Sequence, residues 1–336
     1  MKRGIRLLPP ETDLEVAEEI RRCDDPHDYA QSLLSDSEVD NVKVPPQQFI
    51  LRDFIKKESI NLINGFRGCG KSWLALAIAN GVTWGEAVGP WESVEAVNTL
   101  YVDGEMTFSM LQDRLRMLNV GRSVKSKPRS LFLYPESYAY RIGLERASIL
   151  KPRWREFILE QSDLLKIELL VLDNLSSLAP GLDENIKMDF DPVNKWLLEL
   201  RYSGVTTIML HHTGKRGDQR GTSAHEDHVD VSILLSTPPN HSPQEGCKFI
   251  WKPIKDRAHA TGDITYIMQL TEDPAGRYHL SYGGIDLLVK DTTKVKEAVA
   301  LLHANPNLTR KEAYELGISK MSYYRAKDIL SSFQPS

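Results

Sequence analysis

Gly65-Phe66-Arg67-Gly68-Cys69-Gly70-Lys71-Ser72 decides how this chain of 336 residues is read. It fits the pattern G-x-x-x-x-G-K-[ST]. Glycines let the backbone curl until successive N–H groups point at one anion. A helix opening near Lys71 adds its positive N-terminal end. In such a loop the lysine reaches the outer phosphates of a nucleotide, and the hydroxyl at Ser72 ligates Mg²⁺. The pattern needs a strand before it and a helix after it. Ile60-Asn61-Leu62-Ile63-Asn64 reads as a short buried strand, and the apolar stretch 72–79 reads as a helix. Residues 65–73, Trp73 included, are therefore the expected nucleotide-binding segment, with ATP and Mg²⁺ as cofactors.

Outward from the loop, strands are expected at 98–103, 131–134, 167–173 and 205–210, with helices at 107–118 and 191–201. Strands alternating with helices argue for a parallel sheet in an α/β fold. Beyond 210 the helical pattern stops. Stretches 231–235, 248–254, 263–270 and 278–282 read as consecutive strands, an antiparallel extension of the parallel core. A further short strand is expected at 285–289, after Gly283-Gly284. Three short helices, 293–303, 310–316 and 320–331, follow. The expected division is an acidic leader (1–45), an ATPase core (46–289) and a small all-α segment (290–336).

The fourth strand ends in Leu170-Val171-Leu172-Asp173. A carboxylate at the C-terminal edge of a parallel strand lies where ligands bind in open α/β sheets, so Asp173 joins Ser72 as the expected Mg²⁺ pair. Asn174 follows it where many ATPases carry the water-activating glutamate. Neither an LSGGQ signature nor an Asn-Lys-x-Asp guanine motif is present, which removes ABC proteins and GTPases. The base near the γ-phosphate must come from elsewhere, and Tyr101-Val102-Asp103-Gly104-Glu105 supplies Glu105, with Asp103 as its rival. Glu105 is expected next to the phosphate loop in the sheet. Ile208-Met209-Leu210-His211-His212 ends the fifth strand and offers His212 as a sensor of the γ-phosphate. His225-x-x-His228 lacks the further ligands of a structural metal site.

Apolar residues make up 41% and charged residues 26%, ordinary for a globular chain, and the net charge of −4 excludes a protein that coats nucleic acid by bulk charge. No apolar run is long enough for a membrane span. The basic N-terminus lacks the apolar core of a signal peptide. Cys23, Cys69 and Cys247 are odd in number and far apart, pointing to a reducing, cytoplasmic setting. The leader carries 11 acidic and 6 basic residues, and its helical patterning is weak, around 14–20 and 29–34. From Asp291 onward there are 7 basic and 5 acidic residues. In that segment Thr309-Arg310-Lys311-Glu312 fits a capping box, and Leu316-Gly317-Ile318-Ser319 has the spacing of a helix-turn-helix. Leu308, Ala313, Leu316, Ile318, Tyr323 and Leu330 are expected inside. Lys320, Ser322, Tyr324, Arg325 and Lys327 are expected outside.

Taken in order, 65–72, 101–105, 171–173 and 210–215 resemble the RecA-like ATPases of the RepA/DnaB hexameric helicase group. Arg220-Gly221-Thr222-Ser223 with Asp230, and Lys255-Asp256-Arg257, extend that resemblance across residues 48–285. It implies a RecA-like P-loop core, an oligomeric ring, commonly hexameric, and ATP held between subunits. It also implies an arginine from the neighbour that stabilises charge on the γ-phosphate, for which Arg257 with Lys255 is the candidate. The strand 232–236, where some relatives carry that arginine, has none. The loop 214–221, with Lys215, Arg216 and Arg220, would face the channel and hold a single-strand backbone without reading sequence. The C-terminal helix-turn-helix or winged helix would use Lys320, Arg325 and Lys327 on duplex DNA. The expected function is an ATP-driven DNA helicase in replication of a plasmid or mobile element. The alternatives are an ATP-gated DNA-binding regulator or assembly factor, and a defence or signalling ATPase.

Overall fold

In the computed structural model, the described residues are 33–43, 46–181, 187–212, 228–238, 241–257, 261, 264–283 and 293–331. The chain divides into two compact units, Met1–Gln47 and Gln48–Ser336. The described part of the first holds a single helical turn, Asp36–Val39, opened by a capping box between Ser35 and Glu38. The expected helical stretch 14–20 lies outside the described residues. So do residues 29–32 of the other, and Leu33 and Leu34 are not helical.

The second unit begins with a hairpin, β1 (Phe49–Leu51) and β2 (Ile55–Lys56). It then enters its main sheet through β3 (Ile60–Gly65), β4 (Thr99–Asp103), β5 (Leu131–Pro135), β6 (Leu169–Asp173), β7 (Thr206–His212) and β8 (Val231–Ser236). β9 (Lys248–Asp256), β10 (Tyr266–Glu272) and β11 (Tyr278–Gly283) complete it. The nine strands stand in the order β11-β10-β9-β8-β3-β7-β6-β4-β5. Pairing from β8 to β5 is parallel throughout, and from β8 through β9 and β10 to β11 it is antiparallel. The Val231–Ser236 strand therefore belongs to the parallel sheet, and the antiparallel extension starts one strand later than its sequence suggests. The turn-rich segment before β9 carries no signal of which partner β8 takes. The expected strand at 285–289 lies outside the described residues.

Both faces of the sheet are covered, which explains why its central strands are apolar runs and not alternating ones. Ile63, Tyr101, Leu169, Val171, Ile208 and Leu210 pack on one side, with the phosphate-loop helix Lys71–Trp84 and the helix Phe108–Leu118. Ile60, Leu62, Val102, Leu170, Leu172 and Met209 pack on the other, with Pro152–Leu164 and Lys187–Tyr202. Lys187–Tyr202 starts before the expected residue 191 and carries Pro192 inside it. The result is a three-layer α/β/α unit whose phosphate-loop strand is central, the RecA-like arrangement.

The C-terminal helices Thr293–Ala304, Arg310–Glu315 and Lys320–Ser331 share a small core of their own, including Val299, Leu302, Ala313, Ile318 and Tyr323. The Thr309–Glu312 capping box is present. Leu316 is exposed, contrary to expectation, and Ile318 is buried. Gly317 at φ +86° turns the chain, with Gly317 N–H donating to Tyr314 O and Ile318 N–H to Ala313 O. This Schellman closure folds Ile318 back onto Ala313 and leaves Leu316 at the cap. Ser322, expected outside, is buried, its N–H donating to the hydroxyl of Ser319.

Candidate functional site

The phosphate loop joins the end of β3 to its helix. Gly70 is the N-cap at φ +104°, a left-handed conformation that favours glycine. A Cβ there would lie 2.7 Å from Phe249 Cδ1 and 2.9 Å from Cys247 Sγ. One at Gly65 would lie 2.6 Å from the carbonyl oxygen of Leu235 on the neighbouring strand. The glycines thus serve both curvature and closeness to β8 and β9. Phe66, Arg67 and Gly68 are exposed, while the thiol of Cys69 packs into the core.

Lys71 is buried. Its Nζ donates to the carbonyls of Gly65 (2.7 Å) and Phe66 (2.8 Å) and lies 2.9 Å from His212 Nδ1. Burial lowers its pKa, partly countered by Asp173 and Glu105. Ser72 hydrogen-bonds the carboxylate of Asp173. Asp173 Oδ2 also accepts from the phenol of Tyr101 at 2.5 Å. Burial raises Asp173, and the bonds from Tyr101 and Ser72 pull it back down. Trp73 is half-buried, and the Arg114 guanidinium lies over its ring at 4.6 Å.

β4 is not beside the phosphate loop, as expected from sequence. β7 and β6 lie between β3 and β4. Glu105 nevertheless reaches the site, because β4, β6 and β7 end on one edge. Asp103 Oδ1 accepts from the N–H groups of Glu105 (2.8 Å) and Met106 (2.9 Å), and Gly104 N–H donates to Asp173 O. These bonds curl the chain so that Glu105 turns back over β6. Its carboxylate accepts from the Asn174 amide and lies 3.7 Å from His212 Nε2. The two rival carboxylates now differ plainly: Asp103 is 0% exposed and built into the turn, whereas the Glu105 side chain is 50% exposed. Burial pushes Asp103 up to about 6. Burial and then the Lys71 ammonium hold His212 below its ordinary value, so it is neutral at pH 7.

The hydroxyl of Ser72 and the carboxylate of Asp173 are hard oxygen donors side by side, the donor set Mg²⁺ prefers. Lys71 and the loop N–H groups are donors suited to phosphate oxygens. These residues fit a Mg²⁺–nucleoside triphosphate. Among the described residues, no cluster of three or more His, Cys, Asp or Glu side chains forms another metal site. None of the described helices is long and apolar enough to cross a membrane.

Lys255 and Arg257 are not part of this edge. β9 runs antiparallel to β8, so Lys255 and Asp256 stand opposite Ser232 and Val231, at the start of β8. Gly65 stands opposite Leu235, near its end. Arg257 N–H donates to Asp230 O, and Asp230 Oδ2 accepts from Ile60 N–H at the start of β3. The pair thus lies at the opposite end of the sheet from its own chain's phosphate loop. Lys215, Arg216, Arg220 and His225 lie outside the described residues. Lys320, Arg325 and Lys327 are exposed on Lys320–Ser331, with the Lys327 ammonium 5.4 Å from the Tyr323 ring centroid.

Sequence reasoning used Asn174 only to exclude other ATPases, and passed over Tyr101 and Arg114. Tyr101 carried a signal: on β4 it points to the same face as the phosphate-loop helix, two residues before a carboxylate. Asn174 carried none, because its partners are 69 and 38 residues away.

Solved structures with similarity to this chain include the flagellar accessory protein FlaH from Methanocaldococcus jannaschii. It shares 14% identity at a TM-score of 0.46, covering 67% of this chain and 89% of that one. The KaiC-like protein PH0186 from Pyrococcus horikoshii OT3 shares 15% at a TM-score of 0.46, covering 71% and 98%. No curated protein matches. Residues 26–218, more than half the chain, match the AAA domain family AAA_25, and the match includes the phosphate loop, Glu105, Asp173 and His212. With its RecA-like P-loop core, the chain belongs to the AAA domain family.

Proposed function

We propose that this protein is an ATP-hydrolysing DNA motor of the RepA/DnaB helicase type, working as a homo-oligomeric, six-membered ring. The observation that carries the ATPase reading is the meeting of Lys71, Ser72–Asp173, Glu105 and His212 on one edge of the sheet. Lys71 and the loop N–H groups bind the β- and γ-phosphates. Ser72 and Asp173 hold Mg²⁺, which when bound neutralises charge on those phosphates. Glu105, half-exposed at the edge of the sheet, takes the proton of the attacking water. Asp103 shapes the turn that aims Glu105.

In this reading Lys255 and Arg257, which lie far from their own chain's loop, reach a neighbour's nucleotide, where an arginine stabilises charge developing on the γ-phosphate. The motor reading further rests on the basic loop Lys215, Arg216 and Arg220 for single-stranded DNA. The segment 290–336 is read as a helix-turn-helix accessory that offers Lys320, Arg325 and Lys327 to duplex DNA, and residues 1–45 as a separate leader.

Strand displacement tests the motor reading. A forked duplex unwound in the presence of ATP, with hydrolysis stimulated by single-stranded DNA, supports it. ATP-dependent DNA binding without unwinding or translocation replaces the motor with an ATP-gated DNA-binding regulator.

A further inference from the structure

The phosphate loop bends its carbonyls toward Lys71, and that bend brings Arg67 to the same spot. Lys71 Nζ donates to Gly65 O and, at 2.8 Å, to Phe66 O. The Phe66 carbonyl belongs to the peptide that leads into Arg67. In a planar trans peptide the oxygen lies about 2.8 Å from the next Cα. The Cα of Arg67 is therefore within about 6 Å of the Lys71 ammonium. Arg67 is exposed, and among the described residues its guanidinium has no hydrogen bond or ion pair. A Cβ on Gly68, the next residue, would meet nothing within 4 Å, so the space beside Arg67 is open.

The site feels this charge. Burial is the first cause that holds Lys71 and His212 below their ordinary pKa values, and the Arg67 guanidinium adds to the lowering of both. Arg67 thus stands within electrostatic reach of His212, whose Nε2 lies 3.7 Å from Glu105 Oε2. His212 and Glu105 mark the side on which a terminal phosphate is attacked. A Mg²⁺–nucleoside triphosphate keeps a net negative charge, and it arrives here beside the carboxylates of Asp173 and Glu105. Lys255 and Arg257 lie at the opposite end of the sheet, and Val231–Ser236 has no arginine. Arg67 supplies a second positive charge from within the loop, and its planar fork suits phosphate oxygens.

We infer that the Arg67 side chain is a further catalytic residue, one that contacts the γ-phosphate of the nucleotide bound by its own chain, beside Lys71. This inference rests on the ATP-hydrolysis reading of the site. It adds to a neighbour's arginine a charge that each chain brings to its own nucleotide, so part of the stabilisation of the γ-phosphate is present before any neighbour arrives.

Arg67→Ala tests it. The side chain is exposed and unpartnered, so the variant should fold, with a thermal unfolding midpoint equal to that of wild type. The probes are Mg²⁺–ADP, which lacks the γ-phosphate, and the Mg²⁺ complex of the non-hydrolysable β,γ-imido analogue of ATP. Affinity for the analogue should fall about tenfold, the loss of one charge-assisted contact, with ADP affinity within about threefold of wild type. ATP turnover should fall about 100-fold. Mixing Arg67→Ala with Lys71→Ala protein then asks whose nucleotide is touched. When both residues act on their own chain's nucleotide, no site in the mixture holds both, and activity should not return. Unchanged affinity for the analogue, equal losses for ADP and the analogue, or recovery of activity in the mixture overturns the inference. A wild type that hydrolyses no ATP overturns the function proposed above, and the binding comparison still decides the contact.

Discussion

Asp103→Asn separates the two carboxylates that compete for the role of base. Burial pushes Asp103 up to about 6 from an ordinary 3.8, and its Oδ2 is buried with no hydrogen-bond partner among the described residues. A raised folded-state pKa means the native state binds the proton more tightly than the unfolded chain. The stability gained that way is fully present below pH 3.8 and is lost as pH rises through 6. The shift corresponds to about 3 kcal/mol in total, of which about 2 kcal/mol falls between pH 4.5 and 7.5. Asparagine keeps an Oδ1 acceptor for the N–H groups of Glu105 and Met106 and removes the titration. Urea unfolding at the two pH values should show the wild type losing about 2 kcal/mol more than the variant on going to pH 7.5. Comparing the two pH values cancels whatever the new NH₂ group itself costs. Because the turn survives, ATP turnover should stay within about threefold of wild type. Equal pH dependence in both proteins refutes the burial argument. A collapse of turnover to the level of Glu105→Gln makes Asp103 the base.

Tyr101→Phe removes the phenol that donates to Asp173 Oδ2. Loss of a buried hydrogen bond to a charged group should cost about 2 kcal/mol, seen in chemical unfolding. Mg²⁺ affinity in the presence of nucleotide should fall about tenfold, with metal-free nucleotide binding unchanged. Gly70→Ala places a methyl group against Phe249 at a φ of +104°, and should lose about 2 kcal/mol or more together with nucleotide binding. Arg257→Ala should bind ATP and fail to hydrolyse it, while Lys71→Ala should not bind. Mixing the two inactive proteins should restore part of the activity, since each supplies what its neighbour lacks. No recovery in the mixture counts against action across a subunit boundary.

What the sequence made legible follows from how local the cause is. The phosphate loop could be read because glycine spacing and the flanking strand and helix sit within a score of residues. Asp173 could be read because a carboxylate ending a buried parallel strand has few other uses. The helix Pro152–Leu164 could not be read from its apolar pattern, because Trp154, Ile158 and Ser162 are its buried residues. Pro152 at its first turn was the signal available. Leu316, expected inside beside Ile318, is exposed because the backbone closure at Gly317, not hydrophobicity, decides which of them turns inward. The link from Glu105 through Asn174 to His212 was invisible because it depends on strand order. Only when β6 lies between β4 and β7 do their three ends converge.

The net charge of −4 takes its meaning from the same placement. It is an average over an acidic leader, an edge of carboxylates around one buried lysine, and a C-terminal helix with Lys320, Arg325 and Lys327 exposed. If the proposed function holds, binding of a polyanion depends on a few local sites and on assembly, and little on overall charge.

Glu105→Gln tests the central claim most directly. The amide keeps the size of the side chain and abolishes the base. Steady-state ATP hydrolysis and equilibrium binding of Mg²⁺–ATP should be measured on wild type and variant side by side. The account predicts binding within about threefold of wild type and turnover lower by about 100-fold or more. A Glu105→Gln protein that hydrolyses ATP at the wild-type rate contradicts it.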